Sequence, residues 1–430
     1  MPNVYVLGLD EQNRHLLDEL AASSGRYRFH PLLDHSEIRG VDEFAPREWL
    51  DRCRRILEAA PGSVDAIVSF WDFPVTEMAA ILCAERGLPA PSLESILRCQ
   101  HKYWSRLIQR EVVPNSTPPF AAFDPFDDAA VHSLEMEYPY WVKPVRSFRS
   151  HLGFRIGSEA AIDDAISELR SGIERIGEPF EWILDQAAVP ENIAAFGPNA
   201  CIAEGLIGGH QCTIEGWAHR SSVRTYGVVD SIRAPNRSTF TRYQYPSRLP
   251  EAVQDEMAEV ATAVVAATGY DNGAFNVEFF HDPDTGRTWL LEINCRVSQS
   301  HSDLFAKVDG TTNLAVMVDL ALGEEPQINR GEGEYACAAK FFLRCWHDAT
   351  VVSVPGPDQI AEVERAVPGT TIQLQIDEGD RLSDLPDQDS YSYELGEVRV
   401  GADSDADLRH KFEACERGLG IVLVEEGQGW

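Results

Sequence analysis

Lysine is scarce in this chain of 430 residues: it stands at 102, 143, 307, 340 and 411 only, within a basic set of 37. Arginine does the general surface work, so each retained Lys invites a specific reason. Positive charge as a whole is short. The formal net charge is −32, which argues against nucleic acid and an anionic membrane as partners, since both need basic surface. No stretch approaches about 18 apolar residues, and no basic region followed by an apolar run opens the chain, so neither a membrane span nor a signal peptide is expected. A soluble, cytoplasmic protein is the expectation. The nine Cys, at 53, 83, 99, 201, 212, 295, 337, 345 and 415, include no C-x-x-C pair and no His at zinc spacing. They read as reduced thiols of a cytosolic protein. Also missing are G-x-x-x-x-G-K-[ST] and a G-x-S-x-G elbow, and Gly8 alone is too little for a dinucleotide fingerprint.

What is present is concentrated in Gly273-Ala-Phe-Asn-Val-Glu-Phe-Phe280 and, after Asp282-Pro-Asp-Thr-Gly286, Trp289-Leu-Leu-Glu-Ile-Asn-Cys-Arg296. Both runs are apolar and aromatic-rich, and the Pro and Gly between them predict a hairpin. Strand alternation puts Asn276 and Glu278 on one face, with Leu290, Glu292, Asn294 and Arg296 sharing a face of the second strand. A register symmetric about Thr285 sets Glu278 opposite Glu292. Facing carboxylates repel, and burying either costs several kcal/mol unless a cation offsets the charge. A divalent metal is the simplest relief. Two carboxylates and an amide oxygen are hard ligands, few enough to leave room for waters and a nucleotide phosphate, which suits Mg2+ better than Zn2+ or a caged Ca2+. Arg296, two residues beyond Asn294, would point at the same anionic cargo. Cys295 alternates to the other face and is expected to pack in the core.

On these residues the chain resembles the ATP-grasp superfamily, in which strands ending in Glu and in Glu-x-Asn-x-Arg hold the magnesium ions of ATP. The resemblance implies that Glu278, Glu292 and Asn294 are metal ligands, with Mn2+ as an alternative ion, and that Arg296 contacts a phosphate or the substrate carboxylate. It also gives two lysines a role. Lys143 ends the strand-like Tyr138-Pro-Tyr-Trp-Val-Lys-Pro144, and Lys102 opens the helical stretch to Val112. Family members place a phosphate-contacting Lys at each of these positions, where a compact ammonium suits a phosphate oxygen.

Further motifs match with departures. Arg146-Ser-Phe-Arg-Ser-His-Leu-Gly-Phe154 stands where the family has a glycine-rich flap over the phosphates; Phe148 and Arg149 replace the early glycines, while Ser150 and Gly153 keep the pattern. Arg146 and Arg149 are candidates for contact with phosphate or substrate. Ile202-Ala-Glu-Gly-Leu-Ile-Gly-Gly209 looks like the linker that holds adenine by its backbone, with Glu204 and Leu206 at the matching positions. Gln211 occupies the place of a Glu that usually faces the ribose or a metal, and Glu215 follows. His301 is a candidate acid or base. Trp217, His219, Arg224, Arg233, Arg242, Tyr243 and the Ser298 to Phe305 loop are candidates for specificity.

Three regions are expected. Residues 1–100 alternate strands near Val4 to Leu9, Tyr27 to Leu33 and Asp65 to Trp71 with helices, which predicts a small Rossmann-like parallel sheet. Residues 101–330 carry every ATP-related motif, with helices at Glu251 to Thr268 and Val308 to Leu322. Residues 331–430 form a small α+β domain, with strands at Thr371 to Ile376, Glu397 to Val400 and Ile421 to Val424 and a helix near Asp405 to Gly418. The fold class is thus α/β and α+β, multidomain. By resemblance the function is an ADP-forming carboxylate-amine ligase that works through an acylphosphate, with ATP and Mg2+, small-molecule carboxylate and amine substrates, and a homodimeric state. Two alternatives are a biotin-carboxylase-like enzyme that activates bicarbonate and a non-catalytic ATP-binding regulatory protein.

Overall fold

The computed structural model describes residues 1–38, 43–147, 152–235, 239–385, 388 and 391–425. The first strands form a parallel sheet in the order Arg28–Asp34, Asn3–Leu9, Ala66–Val68. Alternation along Asn3–Leu9 serves two cores. Val4 and Val6 pack with Leu17 of the helix Glu11–Ser24. Tyr5 and Leu7 pack with Trp49 and Leu50 of Pro46–Glu58 and with Met78 and Leu82 of Val75–Arg86. Both faces of a parallel strand are therefore apolar and covered by helices.

An antiparallel sheet follows, in the order Phe120–Phe123, Cys201–Gly205, Tyr140–Pro144, Phe154–Ile156. Ile162, Ile166 and Leu169 of the helix Ile162–Gly172 pack on it.

The largest sheet is antiparallel throughout. Its order is Arg287–Asn294, Gly273–Asp282, His210–His219, Ser222–Arg233, Phe240–Tyr245, Cys337–Cys345, Tyr393–Ala402, Thr370–Leu374. The last three strands come from beyond residue 330, so one sheet runs from the predicted metal hairpin into the C-terminal region. That region also has a core of its own, in which Phe341, Val398, Val400, Leu408 and Leu419 meet.

The mixed α/β and α+β class expected from the sequence is the one observed. The predicted helix at 308–322 is two helices, Ser302–Asp309 and Asn313–Ala321. Gly310 breaks it at φ 71, a left-handed conformation open to glycine, and the Thr312 side chain accepts from the Leu314 N–H to start the second helix.

Candidate active site

The hairpin pairs Asn276 with Asn294, Val277 with Ile293 and Glu278 with Glu292. Packing forces that register. Phe275, Val277, Phe279 and Ile293 lie against Met257, Ala261, Val264 and Val265 of the helix Glu251–Thr268. Each fully buried large side chain contributes about 1.5–3 kcal/mol, and a slip by one residue would turn them all out. The carboxylates have only the other face left.

One detail departs from simple alternation. The register shifts after Glu278, so that Phe279 pairs with Leu290 and Leu291 is the extra residue of a bulge. Leu290 is consequently in the apolar core with Phe279 rather than beside Glu292.

Around Glu278 the polar groups interlock. Asn294 Nδ2 donates to Glu278 Oε1 at 3.2 Å and to Asn276 Oδ1 at 3.0 Å, so its amide oxygen is the atom with which it would ligate a cation. Gln211 Nε2 donates to Glu278 Oε2 at 3.0 Å, while Gln211 Oε1 accepts from Arg233 at 2.6 and 3.1 Å. Gln211 thus ties an arginine to a carboxylate. Burial, and after it the neighbouring Glu292 charge, pushes the Glu278 carboxyl up to about 7. A cation beside Glu278 and Glu292 would offset both effects.

The two lysines converge from other elements. Lys102 begins the helix Lys102–Val112, and its Nζ donates to the Ser147 carbonyl at 2.8 Å. Burial lowers it to about 8, against the pull of the nearby Glu292 charge. Lys143, on Tyr140–Pro144, meets Glu204 Oε2 at 2.5 Å, and Arg106 Nε meets Glu204 Oε1 at 2.5 Å. Burial alone would raise the Glu204 carboxyl; the two cations outweigh it and hold it at about 2. The Glu204 carboxylate therefore points into this cluster, while its backbone sits in the strand Cys201–Gly205. Leu206, just beyond, is exposed and lines a broad cleft with Gly208, His210, Arg287 and Trp289.

Arg106 carries little signal in the sequence, yet it is central here. From 2% exposure it also donates to the carbonyls of Leu290 and Leu291 at 2.9 and 2.8 Å, the carbonyls at the bulge. What could have found it is its place one helical turn after Lys102, on the same face.

Arg296 is held by a residue from the N-terminal sheet. Its Nε and Nη2 donate to the two oxygens of Asp72, each at 2.8 Å. Asp72 follows the strand Ala66–Val68, at the carboxyl end of a parallel sheet, where ligand-binding groups of α/β folds gather. His301 Nδ1 is 2.9 Å from Glu215 Oε1, and Tyr243 stands edge-on to its ring.

Of the flap, Arg146 is buried, its Nη2 donating to Gln100 at 2.6 Å and to Glu77 at 3.2 Å. Arg149 and Ser150 lie outside the described residues. Among the specificity candidates, Arg233 and Tyr243 share the site's face. Trp217 packs in the core, Arg242 reaches Asp405 on the opposite face, and Arg224 pairs with Glu325 at the surface.

Comparison with known proteins bears on this arrangement. Residues 244–328, which contain the hairpin, match the family model "Carbamoyl-phosphate synthase L chain, ATP binding domain". Carbamoyl phosphate synthase large chains of Kocuria rhizophila and Halomonas eurihalina are 34% and 35% identical over 94 residues, 22% of this chain and 8% of theirs. The chain thus matches a small part of those synthases. The fold extends further. An L-amino acid ligase from Bacillus licheniformis superposes with a TM-score of 0.74 at 16% identity, covering 98% of both chains. A biotin carboxylase from Campylobacter jejuni superposes with 0.67 at 14% identity, covering 98% of this chain and 92% of that one. The likeness in sequence is thus to an ATP-binding domain over residues 244–328, and the likeness over the whole chain is one of fold. Among the described residues no helix is long and apolar enough to cross a membrane.

Proposed function

We propose that the protein is an ATP-dependent ligase that joins a small carboxylic acid to an amine and releases ADP and phosphate. The observation that carries this reading is the in-register pair Glu278 and Glu292, with Asn294 beside it and Arg296 beyond. Glu278, Glu292 and the Asn294 amide oxygen would hold Mg2+, or Mn2+ in its place. When bound, the metal supplies charge neutralisation of the nucleotide phosphates. Lys102 and Lys143 carry the compact charges that suit phosphate oxygens, while the strand end at Glu204 and Leu206 offers backbone groups to adenine.

In this reading the γ-phosphoryl group passes to a carboxylate oxygen of the acid, giving an acylphosphate and ADP. The amine then attacks the carbonyl carbon and phosphate leaves. Arg296 steadies the carboxylate and the oxyanion. Gln211, bonded to Arg233 on one side and Glu278 on the other, orients the metal carboxylate. A soluble cytoplasmic homodimer acting on small molecules goes with this proposal.

ADP and phosphate release from Mg-ATP, measured against amino acids and small carboxylates singly and in pairs, tests it. Release only when an acid and an amine are both present, lost at least about 100-fold in Glu292→Ala with the fold intact, is the expected result. Turnover driven by bicarbonate with biotin would replace ligation with carboxylation. ATP binding without turnover under any pairing would leave a nucleotide-binding regulator.

A further inference from the structure

Lys102 is tied at both ends to one short segment. Its N–H donates to the Val145 carbonyl at 2.9 Å, and its Nζ donates to the Ser147 carbonyl at 2.8 Å. Residues 145–147 continue the strand Tyr140–Pro144, which carries Lys143. An ammonium has three protons to donate. With one on Ser147, two remain for phosphate oxygens. The four-carbon stem is ordered in advance, so the rotamer freedom that a free lysine loses on binding is already gone before a nucleotide arrives.

What fixes the Ser147 carbonyl is the residue before it. Arg146 Nη2 donates to Gln100 Oε1 at 2.6 Å and to Glu77 Oε1 at 3.2 Å, and the guanidinium lies 5.2 Å from the centre of the Phe73 ring. Gln100 ends the helix Leu93–Gln100, two residues before Lys102. Phe73 and Glu77 come from the N-terminal region, Glu77 in the first turn of Val75–Arg86. Glu77 is 0% exposed and Arg146 6%. Glu77 Oε2 has no partner among the described residues, so Arg146 is the cation that answers this carboxylate. Burial raises the Glu77 carboxyl, and the Arg146 charge is the strongest pull against it. Either charge without the other would be stranded in the interior.

We propose that Glu77 is a positioning residue for nucleotide binding: through Arg146 and the Ser147 carbonyl it holds Lys102 where the ammonium meets phosphate. The proposal rests on the reading of Lys102 as a phosphate contact and adds to it a residue from the N-terminal region. An ion pair elsewhere in the interior would support the fold and nothing more. Here the guanidinium belongs to the residue next to the carbonyl that orients the lysine. Displacing that carbonyl by about 1 Å takes its bond to Lys102 out of hydrogen-bonding range. The N-terminal helix therefore bears on phosphate binding without touching the nucleotide.

The test is calorimetric titration of the full chain with Mg2+ and a non-hydrolysable ATP analogue, with melting temperatures measured alongside. Glu77→Ala strands Arg146 and lowers folding stability as well. The deciding variant is therefore the double Glu77→Gln, Arg146→Met, which removes both charges at similar volume and should melt within a few degrees of wild type. It should bind the analogue about tenfold more weakly than wild type, because the lysine must now be ordered on binding. In a Lys102→Met background the same double change should alter affinity by no more than about twofold, since the residue it acts through is gone.

A double variant that binds the analogue within about twofold of wild type overturns the proposal. So does a loss of the same size with and without Lys102, which would make the pair a general prop of the fold. If Lys102→Met itself binds like wild type, the phosphate contact fails and the proposal with it, while ADP release from a paired acid and amine would still uphold the ligase. The expected pattern of binding with no ADP release for any pair would uphold the role of Glu77 and remove the ligase.

Discussion

Glu278 stands directly opposite Glu292 across the hairpin, and the next residue back on the second strand, Leu291, bulges out of register. The bulge brings Leu290, in place of Leu291, opposite Phe279 on the core face, next to the Glu278 and Glu292 rung. Repulsion between the two carboxylates is therefore built into the fold, at a place where the sheet cannot slip to relieve it.

A pH dependence follows for the metal-free protein. Burial first and Glu292 second raise Glu278 from 4.5 to about 7. Between those values the folded state keeps a proton that the unfolded chain releases, so the contribution to stability is full below about 4.5 and is lost as pH rises through about 7. Urea unfolding without divalent ions should show the midpoint falling across that window. Glu292→Gln should flatten the fall, and Mg2+ should counter it in wild type only. A midpoint that does not change with pH would remove the case for a strained carboxylate pair.

Arg106 should matter more to stability than its place in a helix suggests. Arg106→Met leaves Glu204 with Lys143 alone and abandons the carbonyls of Leu290 and Leu291. Removing one partner of a buried pair costs about 3–5 kcal/mol. Denaturant unfolding should show a loss of that order, with Arg106→Lys intermediate because it keeps the charge but not the fork. A loss under about 1 kcal/mol would mean that Lys143 balances Glu204 unaided.

Gln211→Glu would test why an amide rather than a carboxylate sits beside Glu278. The substitution removes the donor to Glu278 and sets a third anion beside the pair, offset in part by Arg233. Without Mg2+ the variant should lose about 1–3 kcal/mol, and its melting temperature should rise more steeply with Mg2+ than that of wild type. Equal Mg2+ responses would show that position 211 does not sense the metal site.

The parts of the structure legible in the sequence are those that depend on local pattern. The hairpin, its register at Glu278 and Glu292, the helix Glu251–Thr268 and the strands of the N-terminal sheet all follow from alternation, helical period and turn residues. Other parts escape because their signal is not local. Simple alternation puts Leu290 on the wrong face, since a bulge changes the phase without marking the sequence. The break at Gly310, by contrast, is marked locally by the polar run Asp309-Gly-Thr-Thr-Asn313, a stop and cap signal that the expectation of a single helix passes over. The strand Cys337–Cys345 is equally hard to read, because its largely apolar run is as compatible with a buried helix as with a strand.

Alternation, helical period and turn residues by themselves determined the hairpin with its facing carboxylates and the helix Glu251–Thr268 ahead of it. They could do so because each is a property of neighbours along the chain. Only the tertiary structure decided that Asp72 reaches Arg296, that Arg106 and Lys143 share Glu204, and that Gln211 links Arg233 to Glu278. Those partners lie from 22 to 224 residues apart, and no local preference selects them. They meet because burying the apolar faces of three sheets and their helices leaves these charged side chains a shared interior, where each must find its opposite.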